Sequence, residues 1–503
     1  MAAANRRDDR QRADATLYTG DRSSVSVRFS HQHECSGAAR IAIVGGGPGG
    51  LFTAWHLERL VAAPLAITIL EASDRLGGKV LTPSFAKAAI RYEAGAAELY
   101  DYSPVADDPL RQLVRSLGLP TVAMGGSAVH AAGRRIANLD DLADACGEEG
   151  REALRAFDTW ARSAMTPTEF YESGSDQAAS AAPAGRFDER LASIGSEPAR
   201  HYVATMLKSD LATEPAATST GYGLQNYLMN DPAYMRLYCI AGGNDQLIAV
   251  LASRLAADVR LGAAVTGIAG EPGGPLVVAW QAAGVPHEEP FDAVVVALPL
   301  DALGRVAFAG PHLGTAMRRH LEHHDHPAHY LRITVLFDRP LPAACGDDSY
   351  LMLDAFGGCC LYLESGREPL ATHGVLGWLI GGEAAATMAS WADEDLAAAA
   401  VATLPEPFAP LGDHVLEARI HRWQGAVSGV PGGWQPLSVD RRHRPAAGHP
   451  NLYVVGDYLY DATLNGVLDS AEHVAGWLAA ERDGIAAMRE TRGGCGAHSN
   501  GRR

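Results

Sequence analysis

Gly45-Gly46-Gly47-Pro48-Gly49-Gly50 carries the clearest chemistry in the chain. The spacing satisfies GxGxxG. Gly45 permits a tight turn, Gly47 lets the backbone approach a pyrophosphate, and Gly50 lets a helix pack closely on a strand. A helix N-terminus there offers free N–H groups and partial positive charge to phosphates. Glu71 follows 21 residues after Gly50 (71 − 50). A carboxylate at that spacing accepts hydrogen bonds from ribose hydroxyls. Turn and carboxylate together point to a bound dinucleotide.

A second cluster is His320, His323, His324, His326 and His329. His320 and His324 share a helical i,i+4 spacing that two metal ligands could use. Pro327 and the strand that follows break the pattern, and no cysteine lies nearby, so no functional metal is expected.

The elements that must position the glycine turn read directly. Residues 39–44 form a short buried-type strand, 51–60 have helical periodicity, and 66–70 read as a second strand. This is a βαβ unit with parallel strands. Residues 105–235 look mainly helical, with loops at 173–175 and 182–185. Strands are expected at 259–265, 276–280, 291–297, 330–337, 375–379, 415–422 and 451–455, and a final helix at 467–480. The expected fold is α/β: a Rossmann-like dinucleotide domain with an interleaved α+β substrate-binding domain. The first takes residues 39–104, 236–305 and 430–484. The second takes 105–235 and 306–429. Residues 1–38 read as a disordered leader and 485–503 as a flexible tail, both polar and aperiodic.

Composition narrows the partners. The chain has 503 residues, enough for two or three domains, and a net charge of −17, which disfavours a nucleic-acid surface. No apolar run approaches the roughly 18 residues of a membrane helix. The seven cysteines include no CxxC pair, which fits a reduced, cytoplasmic protein.

Glu71 continues as Ala72-Ser73-Asp74-Arg75-Leu76-Gly77-Gly78-Lys79, and the far end of the chain reads Gly456-Asp457, then Asn465-Gly466-Val467. Both segments resemble the FAD-dependent amine oxidase superfamily. The resemblance spans about residues 39–480 and is weakest at 105–225 and 340–420. It implies FAD held by Gly45, Gly47, Pro48, Gly49, Gly50, Glu71, Ala72, Arg75, Gly78 and Lys79. Gly95, Ala96 and Ala97 would lie near the flavin, and Val265 would meet the adenine through its backbone. Gly456 and Asp457 would meet the ribityl chain or a phosphate. Asn465, Gly466 and Val467 would open a helix whose N-terminus faces the flavin, where it stabilises the negative charge of the reduced ring. No cysteine lies between residues 361 and 494, so the FAD is expected to be non-covalent.

Three departures from the family bear on the substrate. Glu98 stands where relatives that oxidise L-amino acids carry a carboxylate-binding arginine. A carboxylate there suits an ammonium or guanidinium group instead. Arg332 falls nearest a position where many members carry a lysine bridged by water to flavin N5, and arginine cannot serve as a base. Thr463 stands where an aromatic wall of an amine cage is common. Tyr458 and Tyr460 lie just before it, and Trp423 and Trp434 lie in the region that supplies the other wall. Glu98 and Arg332 are the candidate catalytic residues, and the other five are candidate substrate-binding residues. The expected activity is oxidation of a small-molecule amine to an imine, with O2 as acceptor and room for a homodimer. Three rivals remain: an L-amino acid oxidase, a C–C desaturase, and a protein that binds FAD without turnover.

Overall fold

Ile41, Ala42 and Ile43 are wholly buried on both faces of their strand, so the run of apolar residues fits a central parallel strand. In the computed structural model, Ala39–Val44 pairs in parallel with Leu65–Leu70 on one side and Ala293–Val296 on the other. Asp258–Arg260 and Leu452–Val454 complete a five-stranded sheet. The structure describes residues 38–126, 128–172, 185–342, 348–364 and 370–494, with side chains to Glu481. Most of the expected leader, the expected loops between 173 and 184, and residues 495–503 lie outside it.

Two helices cover one face of this sheet, Pro48–Leu60 and Leu464–Gly494. Leu51, Phe52 and Leu57 meet Ala471, Val474 and Leu478 over Ile43 and Val295. Burying each large apolar side chain contributes about 1.5–3 kcal/mol. A four-stranded sheet, Val285–Phe291, Leu276–Ala282, Ala263–Gly270 and Ala307–Ala309, covers the opposite face through Phe291, Val278 and Trp280.

A seven-stranded sheet is built around Pro327–Phe337, flanked by Gly374–Gly381 and Val415–Ser428. Strands Cys359–Leu363, Tyr350–Leu353, Val129–Ala131 and Arg134–Ile136 extend it. On Pro327–Phe337, Leu331, Ile333, Val335 and Phe337 face a core closed by helices Gly382–Met388 and Asp393–Val401. Alternation sends Tyr330, Arg332, Thr334 and Leu336 to the other face. Leu336 packs there with Phe85, Tyr92 and Ala94. Helices Leu139–Ala164, Glu197–Leu211 and Thr220–Leu228 form a further layer.

Three expectations change. Residues 105–235 are not mainly helical at the start: Thr121–Met124 pairs with Arg236–Ile240, and Val129–Ala131 joins the large sheet. Their periods are too short to be read from sequence. The strand expected at 259–265 is two, Asp258–Arg260 and Ala263–Gly270, in different sheets. The last helix runs to Gly494, past the expected break at 485.

Candidate active site

The glycine turn is held from both sides. Gly45 has φ +108°, and a Cβ there would sit 2.5 Å from the Ala297 carbonyl oxygen, so other residues are strained. A Cβ on Gly50 would strike the Gly45 carbonyl. Pro48 opens the helix, and Gly47 at its N-cap provides no side-chain cap, which leaves first-turn N–H groups for a ligand. Gly47 and Gly78 face each other: a Cβ on Gly47 would meet nothing nearer than the Gly78 Cα at 3.8 Å. This cradle suits a diphosphate.

Glu71 fastens the cradle. Its carboxylate accepts from the Gly46 N–H at 2.7 Å and from the Ser73 N–H at 2.9 Å. Ala72 lies between those bonded residues. Arg75 donates to the Gly78 carbonyl at 2.8 Å. The Ala263 N–H donates to the Glu71 carbonyl at 2.8 Å, which sets the strand carrying Val265 beside Glu71. Val265 pairs with Trp280 at a bulge.

Lys79 joins the two ends of the sequence. Its ammonium lies 2.6 Å from Asp457 and also donates to the Ala426 carbonyl. The Lys79 carbonyl accepts from the Ala96 N–H at 3.0 Å, and a Cβ on Gly95 would strike it. Trp423 donates to the Ala94 carbonyl at 2.7 Å, so its indole lies along this segment. Asn244 ties the same stretch down, donating to the Ala96 and Ala97 carbonyls at 2.9 and 3.1 Å. The Gly456 N–H donates to Ser470 at 3.1 Å.

Thr463 is the N-cap of the last helix. Its hydroxyl accepts from the Gly466 N–H at 3.1 Å and donates to Asp461 at 3.1 Å. Asn465 donates to Asp108 at 3.1 Å, and Val467 continues the helix with its N–H on the Thr463 carbonyl at 3.1 Å. The helix start is thus pinned to the chain around residue 108.

The substrate end is a polar floor on the large sheet. Arg332 is completely buried and ion-pairs with Glu364. Its guanidinium lies 4.6 Å over the Tyr362 ring, and the Tyr362 hydroxyl donates to Glu98. A Cβ on Gly377 would sit 3.1 Å from the Arg332 Nη2 and 3.3 Å from the Glu364 Oε1. Glycine there leaves room for the pair to cross the strand. His421, opposite Arg332 in the ladder, meets the Tyr92 hydroxyl at 3.1 Å. Burial, then the charge of Arg332, lowers its pKa to about 4, so it stands neutral.

Asp210 shares this region. Burial, then the charge of Glu98, holds its pKa well above the usual carboxylate range. Glu98, Asp210, Tyr100, Tyr222 and Tyr330 all keep some accessible surface. Asp210 and these tyrosines nonetheless lie deep in the fold. Glu98 and Asp210 both act on Tyr100 and Tyr330 through their charge, so these groups lie close together.

The five candidate substrate-binding residues are not brought together as one cage. Tyr458 faces the histidines, with its hydroxyl 3.4 Å from His320 and its ring 5.4 Å from that of His324. Trp434 donates to the His323 carbonyl at 3.0 Å and packs on His323 and His326. Tyr460 instead meets the His443 ring edge-on at 5.7 Å and lies under the Arg442 guanidinium at 4.5 Å. Trp423 lies with Gly95, and Thr463 caps the helix. The histidines are a packed cluster, and no group of three metal-ligating side chains is found among the described residues.

Asp210, Tyr362, Glu364 and His421 were not visible as site residues in the sequence. Asp210 sits where the family resemblance is weakest. Gly377, which interrupts an apolar strand, is the signal that marks the Arg332–Glu364 crossing.

Comparisons agree with this geometry. The family model described as flavin containing amine oxidoreductase matches residues 48–478. No curated protein matches the sequence. Putrescine oxidase, in a structure bound to putrescine, is similar with TM-score 0.67 and 18% identity, over 88% of this chain and 99% of that one. Cyclohexylamine oxidase from Brevibacterium oxydans is similar with TM-score 0.66 and 19% identity, over 89% of this chain and 100% of that one. At such identities the likeness shows the fold alone. No helix among the described residues is long and apolar enough to cross a membrane. With its diphosphate cradle, its Lys79–Asp457 link and a family match over most of its length, the chain belongs to the flavin-containing amine oxidoreductases and is an FAD-dependent oxidoreductase.

Proposed function

We propose that the chain oxidises an amine to an imine, with O2 closing the cycle and FAD held without a covalent bond. When bound, FAD supplies the acceptor for the hydride that leaves the amine α-carbon. The observation that carries this reading is Glu98, fixed by the Tyr362 hydroxyl and close to Asp210, Tyr100 and Tyr330. A carboxylate there holds an ammonium group. A nitrogen must lose its proton before its α-carbon can give up hydride. Asp210, whose proton affinity burial and Glu98 raise, is suited to accept one. Tyr330 and Tyr222 supply apolar faces that exclude water.

The rivals fit less well. An L-amino acid oxidase using Arg332 needs a free guanidinium, but that group is buried against Glu364. A C–C desaturase calls for an apolar pocket, whereas Glu98 and Asp210 put two carboxylates in this one.

Glu98→Gln is expected to lower kcat/KM for the amine about 10- to 100-fold, the worth of a charge-assisted hydrogen bond. Its flavin spectrum should remain that of the parent. Unchanged anaerobic reduction kinetics in the variant would refute the role of Glu98.

A further inference from the structure

Behind the start of the last helix lies a cavity of about 570 Å³, walled by that helix, by Pro109 and Leu110, and by the helical layer. Asn465 and Gly466, which the proposed reading sets beside the flavin, are part of its wall. Neither Glu98 nor Asp210 is among the described residues that line it. Its walls combine two kinds of surface. Tyr102, Tyr171, Tyr460 and Trp477 are aromatic, and Asp461, Asp469 and Glu472 are carboxylates. Among the described lining residues there is no lysine or arginine. Arg442, stacked on Tyr460 at 4.5 Å, is not among them.

Asp461 accepts hydrogen bonds from Thr463 and Tyr102, but the charge on Asp469 is not compensated from within the described protein. No hydrogen bond or ion pair from a described residue reaches the Asp469 carboxylate. The charged groups that act on it are Glu472, Asp461 and Asp108, all acidic. Burial and these neighbours raise its pKa to about 7, and burial raises that of Asp461 to about 6. A second observation points the same way. Asn465 is 7% exposed and lines the cavity, and its Oδ1 has no hydrogen-bond partner. A buried acceptor left unmade is costly, so a donor is lacking at Asn465 and a positive charge at Asp469. The volume and the aromatic rings suit a carbon frame rather than a bare metal ion.

We propose that this cavity binds an organic ammonium ion, with its nitrogen on Asp469 and Asp461 and its carbon frame against Tyr102, Tyr171 and Trp477. A protonated amine supplies both things the walls lack, a positive charge and N–H donors. The site is separate from Glu98, and its occupation does not require that the chain oxidise amines.

Calorimetry of the FAD-loaded protein with cumylamine tests this. The α-carbon of cumylamine carries no hydrogen, so the compound can bind but cannot give up hydride. The parent is expected to bind it, and Asp469→Asn to bind it about tenfold more weakly. Asp461→Asn should weaken it in the same direction. Glu98→Gln should leave this binding event unchanged, and neutral cumyl alcohol should bind far more weakly than the amine. Asp469→Asn removes an uncompensated charge, so its melting temperature should equal or exceed that of the parent. Absence of binding to the parent would overturn the proposal. So would equal affinity in Asp469→Asn, or loss of all binding in Glu98→Gln alone. Failure of amine oxidation would show instead as an unbleached flavin and would leave these titrations unaffected.

Discussion

Arg332 and Glu364 form an ion pair with almost no solvent contact, so each compensates the other's charge in the interior. Removing one partner of such a pair costs about 3–5 kcal/mol, because the other is left charged in the interior. Arg332→Met is therefore expected to lower the urea midpoint by that equivalent. Adding Glu364→Leu should recover most of the loss. A single variant as stable as the parent would show that the pair does not hold the floor beneath Tyr362. The sequence placed Arg332 on the right strand but not in this role. Position along a strand reveals which face a side chain takes. The partner that neutralises it lies just past the end of another strand, 32 residues away, and is set by tertiary packing.

At the scale of elements, the Lys79–Asp457 pair ties the loop after the second strand to the turn before the last helix. On the proposed reading both residues hold the cofactor, so the pair would couple flavin binding to closure of the two ends. Lys79→Met is expected to weaken FAD retention about tenfold, read as flavin lost on gel filtration, with little change in the stability of the FAD-free protein. Full retention would remove Lys79 from the cradle. These elements were legible because their chemistry is local. Gly45 needs a positive φ, Gly50 needs a close approach, and the strands before and after them are continuous apolar runs. The three-residue strands at 99–101 and 129–131 were not legible, since a segment that short has no period to read.

Across the whole molecule, the histidine cluster packed between Tyr458 and Trp434 gives the fold a pH dependence. Burial lowers the pKa of His320 to about 4 and that of His324 to about 2, from 6.5. Both are neutral in the fold, whereas the unfolded chain takes up protons below pH 6.5. Their contribution is therefore present above pH 6.5 and lost as pH falls. Asp461 and Asp469 act oppositely, since acid relieves the penalty on their ionised forms, but they are common to parent and variant. On acidification from pH 6.5 to about pH 5, the parent should lose about 2 kcal/mol more than His324→Leu, as seen in paired denaturation curves. Parallel curves would show that His324 is not buried neutral. The central claim is chemical, and anaerobic titration of the FAD-loaded protein tests it most directly. Amines, amino acids and polyenes are added in turn while the visible flavin absorbance is followed. The account predicts bleaching by an amine, slowed in Glu98→Gln. Bleaching by a polyene or an L-amino acid but by no amine, or no bleaching at all, would contradict it.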